Sequence, residues 1–149
     1  MQLDMNNLIE ITVVMTALNE EENIRAAIGN TLKAFEDFNI QGEIIVVNDG
    51  STDGTGALVQ RLMENEARIR IIVHSKPRSI GASFWEGVDI AKGKIVTWFP
   101  GDNENDPWEI FRYYKLLEHV DIVIPFIFNR ELRPLFRNAL SLIYRFIIN

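Results

Sequence analysis

The sequence predicts an α/β fold with a mostly parallel sheet and flanking helices, and three observations indicate it. Short apolar, β-branched runs recur along the chain, at residues 9–15, 43–48, 69–74, 94–99 and 121–128. These runs are almost continuously apolar, which is typical of strands that are covered on both faces. Segments with apolar residues at three- and four-residue spacing, typical of helices, separate them. Alternation of strands and helices favours a parallel sheet.

Helix start signals mark several of the segments between the strands. The predicted helices span residues 20–38, 52–67, 81–92 and 107–118. Asn19 is the candidate N-cap of the first helix, with Glu22 three residues later. Asp53 and Asp106 stand where the second and fourth helices begin, and aspartate is a common turn and cap residue there. We therefore interpret these two aspartates as structural.

Composition excludes several classes of protein. A chain of 149 residues with 47% hydrophobic residues suits one domain with a sizeable core. The absence of cysteine excludes disulfides, thiolate metal sites and cysteine nucleophiles. The net charge of −6 argues against a nucleic-acid partner, which would favour a basic surface. Since neither a signal-peptide pattern nor a bilayer-spanning apolar run is present, we expect a cytoplasmic protein.

Oxygen-bearing side chains follow the predicted strands. Ligands of parallel α/β sheets bind outside the carboxyl ends of the strands. The residues there are Asn19, Glu20, Asn48, Asp49, Asp102, Glu104 and Asp106. Neither glycine-rich phosphate-binding pattern, G-x-G-x-x-G or G-x-x-x-x-G-K-[ST], fits the loop after the second strand. Carboxylates accept hydrogen bonds from ribose and base, and they bind Mg²⁺ or Mn²⁺ that neutralises a diphosphate. The pattern predicts a nucleotide bound through a metal ion.

Four blocks of sequence carry a family resemblance. They read "VVMTALNEEENI", "EIIVVNDGSTDGT", "GASFWEGVDIAKGKIV" and "FPGDNENDP". Together they resemble the family 2 glycosyltransferases of GT-A fold, in particular the branch of dolichyl-phosphate mannose synthase and bacterial polyprenyl-phosphate sugar transferases. The resemblance extends over residues 9–107. It implies a nucleotide-sugar-binding GT-A core over residues 1–129 and an inverting transfer of sugar to a polyprenyl phosphate or another acceptor.

Donor-binding residues can be carried over from the first two blocks. The family's first strand normally ends Pro-Ala-Tyr-Asn-Glu, which makes Ala17, Asn19 and Glu20 donor-site candidates. Leu18 replaces the tyrosine of that pattern, so a contact through the phenol is lost. Asp49 matches the family's nucleoside-binding aspartate.

The loop before Gly81 departs from the family. Where relatives often have Asn-x-Gly, this chain has Pro77, Arg78 and Ser79. Arg78, together with Lys76, is expected to meet the donor diphosphate. The alternative is that it is an ordinary solvated loop cation.

The metal-binding motif departs furthest. The family's Asp-x-Asp becomes Pro100, Gly101 and Asp102, followed by Glu104. Gly101 and Asp102 are expected to contact the donor, with Asp102 as the catalytic carboxylate. Asp102, Glu104 and the donor diphosphate are the expected ligands of Mg²⁺ or Mn²⁺. The missing first carboxylate leaves open a binding module without turnover. A nucleotidyltransferase is a second alternative, although the acidic loop after the first strand does not favour it.

The end of the chain is basic. Residues 130–149 contain four arginines and one glutamate, a net +3, which leaves −9 on the rest. A helix from Pro134 would be amphipathic, and its apolar side would lie on an anionic membrane surface or pack on the sheet. The resemblance implies that Arg130 and Arg133 contact the acceptor phosphate, in the first part of an acceptor or membrane-proximal region. The protein would then act peripherally at the inner face of a membrane. Neither histidine of the chain, His74 or His119, is expected to act as a general base.

Overall fold

The computed structural model describes residues 8–124, and in this range strands and helices alternate as predicted. The strands are β1 (Ile11–Ala17), β2 (Gly42–Asn48), β3 (Ile69–Val73) and β4 (Ile95–Pro100). The helices are α1 (Ile24–Asp37), α2 (Thr55–Met63), α3 (Ile80–Asp89) and α4 (Pro107–Phe111), followed by a 3₁₀ helix at Tyr114–Glu118. Of the predicted fifth strand, residues 121–124 are irregular, and residues 125–128 lie outside the described range.

The four strands form one sheet in the order β3-β2-β1-β4, and each pairs with its neighbours in parallel. The central strands β1 and β2 are buried along their whole length, as their continuous apolarity predicted. The chain first builds outward from β1 through β2 to β3 and then returns to the other side of β1. The predicted α/β fold with a mostly parallel sheet is confirmed.

Each face of the sheet has its own core. On one face, Val13, Met15 and Phe99 pack in the larger core, which includes residues of α1, α2 and α4. Phe111 stacks on Phe35 and on Phe99, with ring centroids 5.1 and 5.7 Å apart. On the other face, Val14 packs with Ile45, Val47 and residues of α3. Burial of each such side chain contributes about 1.5–3 kcal/mol, so the two cores fix the positions of the strand ends.

Contacts divide the chain into two compact units, Met1–Tyr114 and Lys115–Asn149. The sheet and both cores belong to the first unit. In the second unit, the described residues 115–124 complete the 3₁₀ helix and then form no regular element. The boundary predicted after residue 129 lies outside the described residues and stays a prediction.

At the amino end of the sheet, a buried carboxylate joins three elements. Glu43 on β2 is 3% exposed and accepts hydrogen bonds from the Thr12 hydroxyl (2.8 Å) and the Lys92 backbone N–H (2.7 Å). Its second oxygen pairs with the Arg70 guanidinium at 3.3 Å. The two hydrogen bonds and the ion pair offset the cost of burying this carboxylate.

We expect Glu43→Gln to lower the free energy of unfolding by about 1.5 kcal/mol, because the amide retains one acceptor oxygen but loses the ion pair with Arg70. Urea unfolding of the variant measures this loss. Glu36→Gln is the matched control, since Glu36 also pairs with an arginine, Arg68, but its side chain is 65% exposed. The control should change stability little. Equal losses in the two variants would contradict the structural role of Glu43.

Candidate functional site

The carboxyl ends of β1, β2 and β4 meet where the strand order reverses, between β1 and β4. Backbone hydrogen bonds continue the ladder past the strands: Asp49 N–H donates to Ala17 C=O and Gly101 N–H to Thr16 C=O, both at 2.8 Å. An added Cβ on Gly101 would lie 3.0 Å from the Ala17 Cβ, so the two chains are in close contact. The structure therefore brings Ala17, Asp49 and Gly101 together at the edge where such sheets bind ligands.

The loops that follow β1 and β2 are joined by hydrogen bonds. Asn19 N–H donates to the Ser51 hydroxyl and Glu20 N–H to the Thr55 hydroxyl, both at 2.9 Å. The Asn19 side-chain oxygen accepts the Thr52 N–H at 2.8 Å. These bonds hold Asn19 and Glu20 against the "DGSTDGT" turn.

The prediction that Asn19 caps α1 is wrong. Helix α1 begins at Ile24, with Asn23 at its N-cap. Asn19 has a positive φ of 58°, and its side chain bonds to the neighbouring loop instead. Glu20 is half-buried, and its carboxylate accepts a hydrogen bond from the Asn23 side chain at 3.0 Å. A contact between sequence-distant loops therefore replaces the local cap.

The two cap aspartates behave as structural residues. Asp106 is the N-cap of α4 and accepts the Trp108 N–H at 2.9 Å, with Pro107 in the first helical turn. Asp53 lies one residue before Gly54, the N-cap of α2, and accepts the Thr55 N–H at 3.0 Å. Hydrogen bonds from Thr55 lower the pKa of Asp53. The structural interpretation of Asp106 is confirmed, and Asp53 stabilises the same kind of turn from the preceding position.

Asp49 is buried and organises the loop at residues 75–79. One carboxylate oxygen accepts the His74 Nδ1 hydrogen bond at 2.7 Å and the Arg78 backbone N–H at 2.8 Å. The other accepts the Ser79 backbone N–H at 3.0 Å. Burial raises the pKa of Asp49, but these hydrogen bonds outweigh it and the net shift is downward. Asp49 is therefore an anion whose described contacts are mainly with this loop.

Gly50 allows the same loop to approach. Its φ is +80°, a region that residues with a Cβ rarely adopt. A Cβ here would also lie 2.6 Å from the backbone carbon of Lys76 and 2.7 Å from Pro77 N. The glycine of the "NDGS" turn is thus required both by its own conformation and by the backbone that packs on it.

Arg78 contributes to the site through its backbone and its side chain in different directions. Its N–H binds Asp49, whereas its guanidinium pairs with the Glu86 carboxylate on α3. The Arg78 side chain is 52% exposed, and Lys76 in the same loop is also exposed. A diphosphate bound here would therefore compete with, or share, the contact between Arg78 and Glu86.

Ser79 is strained. It is the N-cap of α3 with φ 101° and ψ 154°, a conformation found almost only for glycine. Its hydroxyl accepts the Ala82 N–H only weakly, at 3.5 Å. This position matches the glycine of the Asn-x-Gly pattern that the chain lacks.

We expect Ser79→Gly to raise the free energy of unfolding by about 1 kcal/mol, because glycine adopts this conformation without the Cβ penalty. Ser79→Ala is the control, since it removes the same hydroxyl and keeps the Cβ. Urea unfolding should rank the variants glycine, then serine, then alanine in decreasing stability. If the glycine variant is less stable than the wild type, the strain at Ser79 does not exist.

Asp102 lies in a tight turn after β4. Its Oδ1 accepts the Glu104 backbone N–H at 2.9 Å. Asn103 between them has a positive φ of 61°, and its side-chain oxygen accepts a hydrogen bond from Asn30 on α1 at 3.0 Å. Asp102 is half-buried and Glu104 is exposed. The turn fixes Asp102 beside Gly101 at the reversal point of the sheet.

The donor set suits a hard divalent cation that takes most of its ligands from substrate. Among residues 8–124, no three His, Cys, Asp or Glu side chains form a group that could hold a metal ion. The Oδ1 of Asp102 is engaged by Glu104 N–H, which leaves the Oδ2 and the Glu104 carboxylate as oxygen donors at this turn. Mg²⁺ commonly uses only one or two protein carboxylates and completes its shell with phosphates and water. The residues present fit that arrangement.

Two charged residues of this region were missed by sequence reasoning. The sequence predicts of His74 only that it is not a general base, and Glu86 is not among the predicted site residues. The His74 ring lies between Asp49 and Glu86, with its side chain only 5% exposed. Strand pairing could have predicted the contact between Asp49 and His74: Asn48 pairs with Val73, so the residues that follow these two strands must be neighbours.

The two arginines that are predicted to contact the acceptor phosphate, Arg130 and Arg133, lie outside the described residues.

Sequence and structure comparisons identify the class of protein. The model of glycosyl transferase family 2 matches residues 12–148. The chain therefore belongs to this family, and the expected GT-A fold is confirmed. Nucleotidyltransferase activity is not favoured by this result.

Two relatives of the chain are named as polyprenyl-phosphate sugar transferases. The chain is 31% identical over 113 residues to polyprenol monophosphomannose synthase from Mycolicibacterium smegmatis, covering 73% of this chain and 40% of that protein. It is 27% identical over 126 residues to dodecaprenyl-phosphate galacturonate synthase from Rhizobium johnstonii, covering 83% of this chain and 37% of the relative. The chain thus spans about two fifths of the length of these relatives.

Solved structures share the fold. Mannosyltransferase PcManGT from Pyrobaculum calidifontis, in complex with GDP-Man and Mn²⁺, superposes with a TM-score of 0.57 at 24% identity, over 62% of this chain and 27% of that one. S. aureus TarS in complex with UDP-GlcNAc gives a TM-score of 0.60 at 17% identity, over 84% of this chain and 37% of that one.

Within residues 8–124, no helix is both long and apolar enough to cross a membrane.

Proposed function

We propose that this chain is the donor-binding part of an inverting glycosyltransferase that moves a sugar from a nucleotide-diphosphate donor to a polyprenyl phosphate. The observation that carries the proposal is the meeting of Ala17, Asp49 and Gly101 at the reversal point of the sheet, with Asp102 in the adjoining turn. Membership of glycosyl transferase family 2 and the names of the relatives support it.

The nucleoside would lie over the ends of β1 and β2. Ala17, Asn19 and Glu20 are the proposed contacts from the first loop, and Asp49 is the contact from the second. Since Asp49 already accepts three hydrogen bonds from His74, Arg78 and Ser79, it has capacity for about one more donor from a base or ribose. Its main contribution would then be to hold the loop at residues 75–79 against the nucleotide.

The diphosphate would lie between Arg78 and the Gly101-Asp102 turn. Arg78 carries the positive charge that a diphosphate requires. Asp102 and Glu104 would hold Mg²⁺ or Mn²⁺, which supplies stabilisation of the negative charge that develops on the leaving diphosphate. The solved relative with GDP-Man and Mn²⁺ supports use of a divalent metal.

The chemistry is a single displacement. An acceptor oxygen forms a bond to the anomeric carbon as the bond from that carbon to the diphosphate oxygen breaks, and the nucleoside diphosphate leaves with the electron pair. Attack from the opposite side inverts the configuration. A phosphate acceptor is already an anion, so its attack needs no general base to remove a proton. Arg130 and Arg133 are the proposed contacts of the acceptor phosphate.

A polyprenyl acceptor places the reaction at a membrane surface. The basic segment at residues 130–149 would favour peripheral association with anionic lipid at the inner face. The proposed partners are therefore a nucleotide sugar and a polyprenyl phosphate, without nucleic acid.

Transfer by the natural full-length protein tests the proposed function. Radiolabelled UDP-GlcNAc and GDP-mannose are incubated with polyprenyl phosphate vesicles and Mn²⁺, and the lipid product is examined by NMR. We expect a labelled lipid-phosphate sugar whose anomeric configuration is opposite to that of the donor. Retention of configuration would contradict the mechanism. Nucleotide-sugar binding without transfer to any offered acceptor or to water would instead favour the binding module without turnover.

A further inference from the structure

The residues that hold the loop at 75–79 form one charged group, which we call the His74 cluster: Asp49, His74, Arg78 and Glu86. It joins the end of β2, the residue after β3, the loop, and α3. Asp49 and Glu86 contact opposite nitrogens of the same imidazole, at 2.7 Å from Nδ1 and 2.5 Å from Nε2. Glu86 also pairs with Arg78.

We propose that His74 is a positioning residue of the donor site: its imidazolium, held between Asp49 and Glu86, fixes the loop at residues 75–79 and sets the pH range in which the site binds a nucleotide sugar. This inference rests on the proposed function, because it assumes that the donor binds beside this loop.

The geometry requires a proton on both ring nitrogens. A neutral imidazole has one N–H donor and one lone pair, so it can donate to only one of two carboxylates. The second carboxylate would then face a lone pair at hydrogen-bond distance, in a place where the His74 side chain is 5% exposed. The imidazolium donates to both carboxylates and is the form that fits the cluster.

Charge balance gives the same result. The groups that face His74 are Asp49 from the end of β2 and Glu86 from α3, and Arg78 faces Glu86 from the loop. With the imidazolium, two positive and two negative charges balance. Burial lowers the pKa of His74, but the hydrogen bonds and charges of Asp49 and Glu86 outweigh it, so the net pKa is raised. Loss of the proton leaves the cluster with one net negative charge.

Deprotonation affects the loop directly. Asp49 accepts the backbone N–H groups of Arg78 and Ser79 with the same carboxylate that binds His74. A neutral His74 would release either this carboxylate or that of Glu86, and Glu86 positions the Arg78 guanidinium. The extra negative charge would also repel an anionic diphosphate. Both effects weaken donor binding above the pKa of His74.

The direction of the pKa shift of His74 determines how its contribution changes with pH. A histidine whose pKa is raised in the folded protein contributes its stabilisation fully below the unfolded value of 6.5 and loses it as pH rises through the folded pKa. Because the donor is expected to bind the protonated cluster more tightly, its affinity should be highest below the pKa of His74 in the free protein and should fall by about tenfold as pH rises. A fall of this size accompanies a difference of about one pKa unit between the bound and the unbound protein.

Isothermal titration with UDP-GlcNAc and GDP-mannose, at constant ionic strength and saturating Mn²⁺, tests the inference on the natural full-length protein. Nucleotide sugars are suitable probes because their diphosphate is esterified at both ends. It has no terminal phosphate, whose second pKa is about 6, so its charge stays constant across the titration. The wild type should lose affinity in a transition whose midpoint lies between the pKa of His74 in the free protein and its higher pKa in the donor-bound protein. The pKa of the free protein is read separately from imidazole NMR shifts.

Three variants separate positioning from general structure. Glu86→Gln removes one of the two carboxylates, so the affinity midpoint should move to lower pH. His74→Gln should abolish the transition, and His119→Gln, which changes the other histidine of the chain, should leave it unchanged. If His74→Gln does not fold, the shift of the affinity midpoint in Glu86→Gln still tests whether His74 sets the pH dependence of donor binding.

The outcomes are distinguishable. Affinity that stays constant across the pH range, or a midpoint that Glu86→Gln leaves unchanged, would overturn the role of His74 while leaving the donor site intact. If the folded protein binds neither nucleotide sugar at any pH, the proposed function fails first.

Discussion

Replacing Asp102 by asparagine in the full-length protein is expected to lower the rate of sugar transfer by about a hundred- to a thousandfold. Asparagine preserves the turn, because its side-chain oxygen can still accept the Glu104 N–H that Asp102 accepts at 2.9 Å. It removes the negative charge that would bind the metal ion. The metal ion would contact the negative charge that develops on the leaving diphosphate, and loss of one such electrostatic contact typically costs a factor of this size. Steady-state kinetics at saturating donor and Mn²⁺ measure the effect.

Asp106→Asn is the matched control for this variant. Asp106 lies four residues further along and caps α4, where it accepts the Trp108 N–H at 2.9 Å. Asparagine is as good an N-cap as aspartate, so fold and turnover should both persist. If Asp102→Asn retained wild-type transfer at limiting Mn²⁺, the assignment of the metal site to Asp102 would be wrong.

Asp49→Asn is expected to lower the free energy of unfolding by about 3 kcal/mol and to weaken nucleotide-sugar binding. The amide nitrogen would face at least one of the three donors that the carboxylate now satisfies, from His74, Arg78 and Ser79. Leaving buried polar groups or one member of a buried ion pair unsatisfied costs energy of this order. Urea unfolding at pH 6 and titration with UDP-GlcNAc or GDP-mannose measure the two effects.

The pH dependence of this variant supplies a check. Because the pKa of Asp49 is lowered in the folded protein, its stabilisation is present above the unfolded value of 3.8 and is lost as pH falls through the folded pKa. The difference in stability between wild type and Asp49→Asn should therefore shrink in acid. Asp53→Asn, a change in the same loop at an exposed aspartate, should cost much less. Equal losses would mean that burial of Asp49 does not matter.

The strands could be predicted because their signal is local. Residues 43–48 were expected to form a strand, and β2 is Gly42–Asn48. Continuous apolarity is a direct consequence of burial on both faces, so the run contains all the information needed. Asp106 followed by Pro107 predicted a helix start for the same reason, since a cap acts on N–H groups two and three residues away.

The wrong and missing predictions concern contacts between distant residues. Asn19 satisfies the local pattern of an N-cap, but a hydrogen bond to Thr52, 33 positions away, determines its conformation. His74 acquires its surroundings from Asp49 and Glu86, 25 and 12 positions away. Only the pairing of β2 with β3 brings His74 and Asp49 together. The roles proposed for Glu20, Arg78 and Glu104 stay predictions for the same reason, because a ligand completes those contacts.

The central claim is that the carboxyl ends of β1, β2 and β4 bind a nucleotide sugar. The most direct test is an amide NMR titration of the ¹⁵N-labelled protein. The titrants are UDP-GlcNAc and GDP-mannose, each in the presence of Mg²⁺. The account predicts that one of the two donors shifts the amide signals of Ala17, Asp49 and Gly101. Signals at the opposite end of the sheet, such as those of Glu43 and Gly93, should not move. Shifts that cluster away from these strand ends, or no shift with either donor, would contradict it.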